Sequence, residues 1–375
     1  MIKYETEQFN SFAKILSPMA DFDVRYTFFY DETNNIKKLH LNKGDFNVAF
    51  SSNFVLGGLT FQGDRPDVSS IFEGLSLQGN TKEVKLKHLA FGDFLECLTS
   101  RKLTPFLEYL VNSPLYMHFS SLNLLYYSIV DIVDSAIAGA GDSVKITPQT
   151  IRRLKNDLYK LCRLEIDKVV PLFVKYGYPD IKQIELVNFV SELMDLFKQY
   201  ADDDEYKMGL IMLQGLFTEA LANDSLPFIV DETSLILING LVHFYMRPIY
   251  TFLNSEHLFD NETEIEAAFA EYEIIYKGKT ITNYSFLDSK DDVLTQASDI
   301  IVGFVGKLSK FFNTHNAIQI EQKLTSMTPL QAKNLDLYLD LVLKSDRLNP
   351  GFFHYADSDD DHSKNQLLFQ LRRKL

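Results

Sequence analysis

The residues Val24 to Tyr30 read Val-Arg-Tyr-Thr-Phe-Phe-Tyr, and the next residue is Asp31. A mostly apolar, β-prone run of this kind suits a strand buried at the centre of a sheet. A carboxylate at its end must leave the core at the sheet edge, because burying it alone costs desolvation unless a cation or donor meets it. This one segment therefore asks for a central strand, a covered sheet and a charged group at the strand end. Thr33-Asn34-Asn35 then supplies turn chemistry. Lys37 to Asn42 alternates like a half-exposed strand, and Asn53 to Gln62 reads as a third. Within that third run, Gly57-Gly58 points to a bulge or a close backbone approach. Three strands with short connections imply an antiparallel meander.

Helical and strand signals then alternate. Glu83 to His88 reads as a short strand or a helix start, Phe91 to Leu110 as a helix, Leu115 to Ser120 as a strand and Leu122 to Ala138 as a helix. Residues 148 to 222 carry helical periods only. Leu226 to Val230 returns to strand and ends in Asp231-Glu232-Thr233. Thr282 to Leu287 is a short strand, and Val293 to Phe312 a helix with Asp291 and Asp292 favouring its N-terminus. Asp357 to Asp361 reads as an exposed acidic loop. The expected organisation is an α/β core in two parts, 20–147 and 225–312. A helical insertion at 148–224 divides it, and a helical extension follows at 313–375.

Apolar residues make up 46% of the 375 positions, enough for a sizeable core. Lys and Arg total 37 against 51 Asp and Glu, a net charge of −14. That surface argues against a non-specific nucleic-acid binder relying on bulk charge, though not against a locally basic groove. Cys97 and Cys162 both sit in apolar helical patterns and read as buried free thiols. No signal-peptide pattern and no membrane-spanning apolar run is evident, so a cytoplasmic protein without membrane contact is expected.

Two strand ends share one wording: Tyr30-Asp31-Glu32-Thr33 and Val230-Asp231-Glu232-Thr233. The helix from Val293 contributes a third acid, because Asp292, Gln296, Asp299 and Gly303 share one face. Gly303 and Gly306 allow that helix close approach to another backbone. Asp31, Asp231 and Asp299 are thus the candidate ligands of a divalent cation. Oxygen donors without clustered His or Cys suit Mg²⁺ or Mn²⁺ rather than Zn²⁺. Two such ions about 4 Å apart can activate a water and stabilise the leaving oxygen of a phosphodiester.

These three motifs, with Gln296-Ala297-Ser298-Asp299-Ile300-Ile301-Val302-Gly303 as the last, resemble the bacterial domain of unknown function numbered 3800. That family shows a strand ending Asp-Glu-Ser-Gly and a late Gln-x-x-Asp helix. This chain departs from it at Asn34, where Gly is usual. The resemblance spans roughly residues 24 to 312 and implies a ribonuclease H-like mixed sheet, antiparallel in its first three strands. It implies presumed nuclease activity and frequent proximity to phage-defence genes. By the resemblance Asp31, Asp231 and Asp299 would be metal ligands, and Glu32 and Glu232 would be ligands or would support them. Glu83 and Lys85 match a Glu-x-Lys element, with Glu83 a further ligand and Lys85 a phosphate contact. The expected function is metal-dependent phosphodiester hydrolysis on a nucleic acid, RNA or DNA. The alternative is a ribonuclease H-like binding or regulatory module without turnover. The helical insertion could also form a homodimer interface.

Overall fold

The computed structural model describes residues 1–42, 44–73, 75, 82–141 and 145–373. Its centre is a mixed six-stranded sheet, whose strands are numbered here in chain order. They are β1 (Tyr26–Thr33), β2 (Asn53–Gln62), β3 (Tyr116–Asn123), β4 (Glu256–Asp260), β5 (Tyr284–Leu287) and β6 (Phe353–Ala356). The order across the sheet is β5-β4-β1-β2-β3-β6. β1, β2 and β3 pair antiparallel, β4 and β5 run parallel to β1, and β6 runs parallel to β3. The apolar run ending at Asp31 is one of the four strands with neighbours on both sides, as its composition demands.

The helices of ten residues or more are α1 (Glu7–Leu16), α2 (Leu103–Asn112), α3 (Leu124–Ala140), α4 (Pro148–Leu164), α5 (Ile166–Tyr176), α6 (Leu186–Phe197), α7 (Lys207–Ala222), α8 (Val242–Thr251), α9 (Val293–Thr314), α10 (Pro329–Leu348) and α11 (Asp359–Arg373). Alternation along the strands sends side chains to two cores. Phe29, Val55 and Leu59 join α2, α9 and α10 on one face. Phe28, Tyr30, Phe54 and Leu56 join α3 to α8 on the other. Burying each of the β1 aromatics contributes about 1.5–3 kcal/mol, so both faces of this strand are strongly committed. Residues 148–222 are helical, and their apolar side chains merge with the second core instead of forming one of their own.

α9 crosses β1 and β2 at close range. Gly58, at φ +154°, makes that possible: a Cβ there would stand 2.2 Å from Ser298 Oγ. The Ser298 hydroxyl instead receives the Leu59 N–H at 3.1 Å. Gly303 and Gly306 do permit close approach, but to the side chains of Leu86 and Thr33 and not to a backbone. Asp292 caps α9 by accepting from Leu294 N and Thr295 N.

Several expectations are corrected. Lys38–His40 leaves the main sheet and pairs with Ile236–Asn239, so the third antiparallel strand is β3. Phe91 to Leu110 splits into a short turn of helix at Phe94–Cys97 and α2. Leu226 to Val230 is not a strand. Pro227 interrupts it, and Leu226 and Ile229 bury into the helical core at a spacing that a strand does not provide. Asp357 to Asp361 is not an exposed loop: Ser358 and Asp361 are buried and the last three residues open α11. Both cysteines are free and buried. Among the described residues no helix is long and apolar enough to cross a membrane.

Candidate functional site

Asp31 sits near the end of β1, with Gly57 opposite it on β2. Alternation puts its side chain on the α9 face, and only 8% of the residue is exposed. Its Oδ1 accepts the Glu32 N–H at 2.6 Å. Burial, then repulsion from Asp299, Glu32 and Asp260, pushes its carboxyl well above the ordinary carboxylate range. Asp299 lies half-buried on α9, and burial raises it too, although the Leu86 N–H donates to Oδ2 at 2.7 Å. Glu32 is pushed up to about 7, mainly by burial. Asp31 and Asp299 are therefore crowded where the central strand passes under the helix, and both are pushed toward the protonated form.

The segment before Leu86 is hooked onto the same helix. Gln296 Oε1 accepts the Val84 N–H and its amide donates to the Ser289 carbonyl, both at 2.9 Å. Gln296 and Asp299 thereby bring Glu83 and Lys85 to the site, where the two form an ion pair at 2.9 Å. Burial works to raise Glu83, but hydrogen bonds from Lys85 and Ser289 outweigh it and hold the carboxyl below its usual value. The bond to Glu83 raises Lys85, with smaller contributions from Asp299 and Asp31.

Asp231 and Glu232 are not brought here. Both are exposed, in the turn that follows α7, and Asp231 has a left-handed backbone at φ +58°. The acid that reaches the site from a second strand is Asp260. Tyr30 pairs with Phe259 in the parallel β1–β4 ladder, so the next residues, Asp31 and Asp260, stand side by side on one face. Asp260 Oδ1 accepts from Asn261 N and Ser289 N. Its signal was present in the sequence. Glu-His-Leu-Phe-Asp ends in an aromatic and an acid, as the β1 run does, but lacks the long apolar lead that marked Val24 to Asp31.

A cleft of about 370 Å³ opens over the site, with Glu32 and Asp299 in its floor and Lys85, Lys87, Lys307 and Lys310 around it. Lys307 reaches the Gly92 carbonyl. Among the described residues no hydrogen bond or ion pair engages the side chains of Lys87 and Lys310. Asn34 lines the cleft at φ +56° and donates to the Asn53 carbonyl. An Asn tolerates that backbone better than most residues, so the position keeps the geometry a Gly would give.

Among the described residues, no three His, Cys, Asp or Glu side chains stand close enough together to enclose a metal ion. What exists is a pair of crowded oxygen donors beneath a basic rim. Comparison of the chain with protein-family models, with curated proteins and with solved structures finds no match.

Proposed function

We propose that this chain is a phosphodiester hydrolase acting on a nucleic acid, with a ribonuclease H-like core and a Mg²⁺ or Mn²⁺ ion held by Asp31 and Asp299. The observation that carries the reading is the crowding of Asp31 and Asp299 under a cleft rimmed by four lysines. Repelling carboxylates below a basic rim suit a divalent cation and the phosphate it accompanies. Mg²⁺ in particular binds through one or two carboxylates, with substrate oxygens and water filling the rest, so a pair of protein donors is chemically sufficient. Such an ion would supply charge stabilisation and water activation to phosphoryl chemistry.

The side chains divide the remaining work. Asp31 and Asp299 take the cation's charge. Asp260 and Glu32 sustain the negative field that draws it in. Lys87 and Lys310, free of partners within the described chain, meet substrate phosphates, and Lys85 does so where Glu83 releases it. The mixed sheet, antiparallel through β1, β2 and β3 with the acid at the end of β1, agrees with the ribonuclease H-like core that the resemblance implies and supports that assignment.

The test is cleavage of RNA, DNA and RNA–DNA hybrid by the purified chain in Mn²⁺ and in Mg²⁺, beside Asp31→Asn and Asp299→Asn. A loss of about a thousandfold is expected in each variant, in the range of removing an essential catalytic group. Equal activity in all three proteins would end the proposal. Millimolar or tighter Mn²⁺ binding without cleavage would favour the alternative of a regulatory module, for which the satisfied Glu83–Lys85 pair is the supporting observation. A homodimer through residues 148–224 remains a proposal resting on the exposed Ile184, Val187, Met208 and Ile211. Light scattering that gives a monomer mass at high concentration refutes it.

A further inference from the structure

On the opposite face of the sheet, a cavity of about 550 Å³ lies between α1, the end of α8, β6 and the start of α11. Arg247 of α8 lines it. Among the described residues, no hydrogen bond or ion pair engages its guanidinium, and no carboxylate is among the largest influences on it. Those that are include the phenols of Tyr250 and Tyr30, and the imidazole of His354 also interacts with it. His354 also lines the cavity, and its Nδ1 has no hydrogen-bond partner. A guanidinium carries five donors and keeps its charge in a protein, so one left part-buried and unpaired at a cavity wall is a ready partner for an anion.

The other charges here are already settled. Arg152 at the far wall is paired with Asp359. Burial, with Asp361 and Asp359 adding to it, pushes Asp357 up to about 8, which favours its uncharged form. The walls near α1 are apolar: Phe9, Phe12, Leu16 and Phe22 line the cavity. Phe12 is 58% and Leu16 65% exposed, so the mouth presents hydrocarbon to solvent with none of the described residues covering it. The volume falls in the range of small-molecule sites and exceeds what an inorganic anion fills.

We infer that this cavity binds a small organic anion, with its carboxylate or phosphate head on Arg247 and its apolar body against the phenylalanines beneath α1. The geometry separates it from the carboxylate cleft, because Tyr30, beside Arg247, and Asp31 point to opposite faces of β1. A ligand here would tie α1 to β6 and α11, three segments that otherwise meet around empty space.

The test is titration calorimetry of the full chain with octanoate, phenyl phosphate and the uncharged 1-octanol. Binding of octanoate alone identifies a carboxylate head, and binding of phenyl phosphate alone a phosphate head. Either result supports the site if Arg247→Met weakens it by about ten- to a hundredfold, the loss that removing a charge-assisted hydrogen bond produces. Phe12→Ser, at the exposed mouth, is expected to weaken octanoate several-fold without affecting folding. Asp299→Asn is expected to bind as the wild type does. The inference is overturned if neither anion binds in the millimolar range. It is equally overturned if octanol matches octanoate, or if the Arg247→Met and Phe12→Ser variants bind undiminished. Should Arg247→Met not fold, the Phe12→Ser result decides alone.

Discussion

The two faces of the sheet both hold charge against apolar packing, and they hold it differently. On the α9 face, Asp31 and Asp299 crowd one another, and each can shed its charge by taking a proton. On the other face Arg247 cannot shed its charge at any ordinary pH, and nothing within the described chain answers it. A crowded acid is thus a site whose occupancy competes with protons. A solitary guanidinium is a site whose occupancy competes only with water. The first should respond to divalent cations, and the second should not.

The largest effect expected from breaking this contrast is mechanical. Gly58→Ala puts a methyl group 2.2 Å from Ser298 Oγ, at a φ that L-residues rarely adopt. It should destabilise the chain by about 2–4 kcal/mol, read by chemical denaturation, and should abolish cleavage while leaving the Arg247 cavity's walls intact. Next is the proton contrast. The folded-state carboxyls of Asp31 and Glu32 lie above their ordinary values, so the folded chain binds more protons than the unfolded one. Stability without divalent cations should therefore fall as pH rises from about 4.5, the ordinary Glu value, to about 7, the folded value of Glu32. Asp31→Asn should flatten that fall and raise the neutral-pH melting temperature by about 2–6 °C. Arg247→Met should leave the slope alone. Mg²⁺ should raise the melting temperature of the wild type and not of Asp31→Asn.

A smaller effect sharpens the role of the rim. Lys87→Ala with Lys310→Ala should weaken RNA or DNA binding and lower the salt slope by about 1.4–1.8, the value for two phosphate contacts. The smallest is a control: Asp231→Asn should change stability by less than about 0.5 kcal/mol and leave cleavage untouched, as befits an exposed turn residue. Any large effect there would mean that the acids meet differently from the arrangement described.

Much of the α9 face was legible in the sequence because its signals are long. The run to Asp31 is apolar enough to demand the centre of a sheet. The α9 helix announces itself over 22 residues with an acid cap and an out-of-place Asp299. The second strand-end acid was misassigned because Asp-Glu-Thr is a local phrase that occurs twice, while burial is decided by what precedes it. Pro227 turns the chain before Asp231, whereas β4 reaches Asp260 through five residues whose alternation is easily lost beside a helix. The 357–361 run misled for a related reason. Acidic residues predict solvent by composition, but Ser358 and Asp361 are held inside by hydrogen bonds with each other and with Asn123, a partner far away in the chain. The Arg247 cavity was not legible at all, since a missing counter-charge is visible only after folding.

β6 adds one last consequence. It lies along the outer side of β3 from Phe119 to Leu122, covering an eight-residue strand that would otherwise end the sheet in open backbone. The opposite border is β5, only four residues long. The main sheet thus offers other chains little ladder to join, and the guard on its longer flank comes from Phe353–Ala356, late in the sequence. Until synthesis reaches Phe353, the nascent chain carries an unguarded border, and self-association is the hazard of that interval.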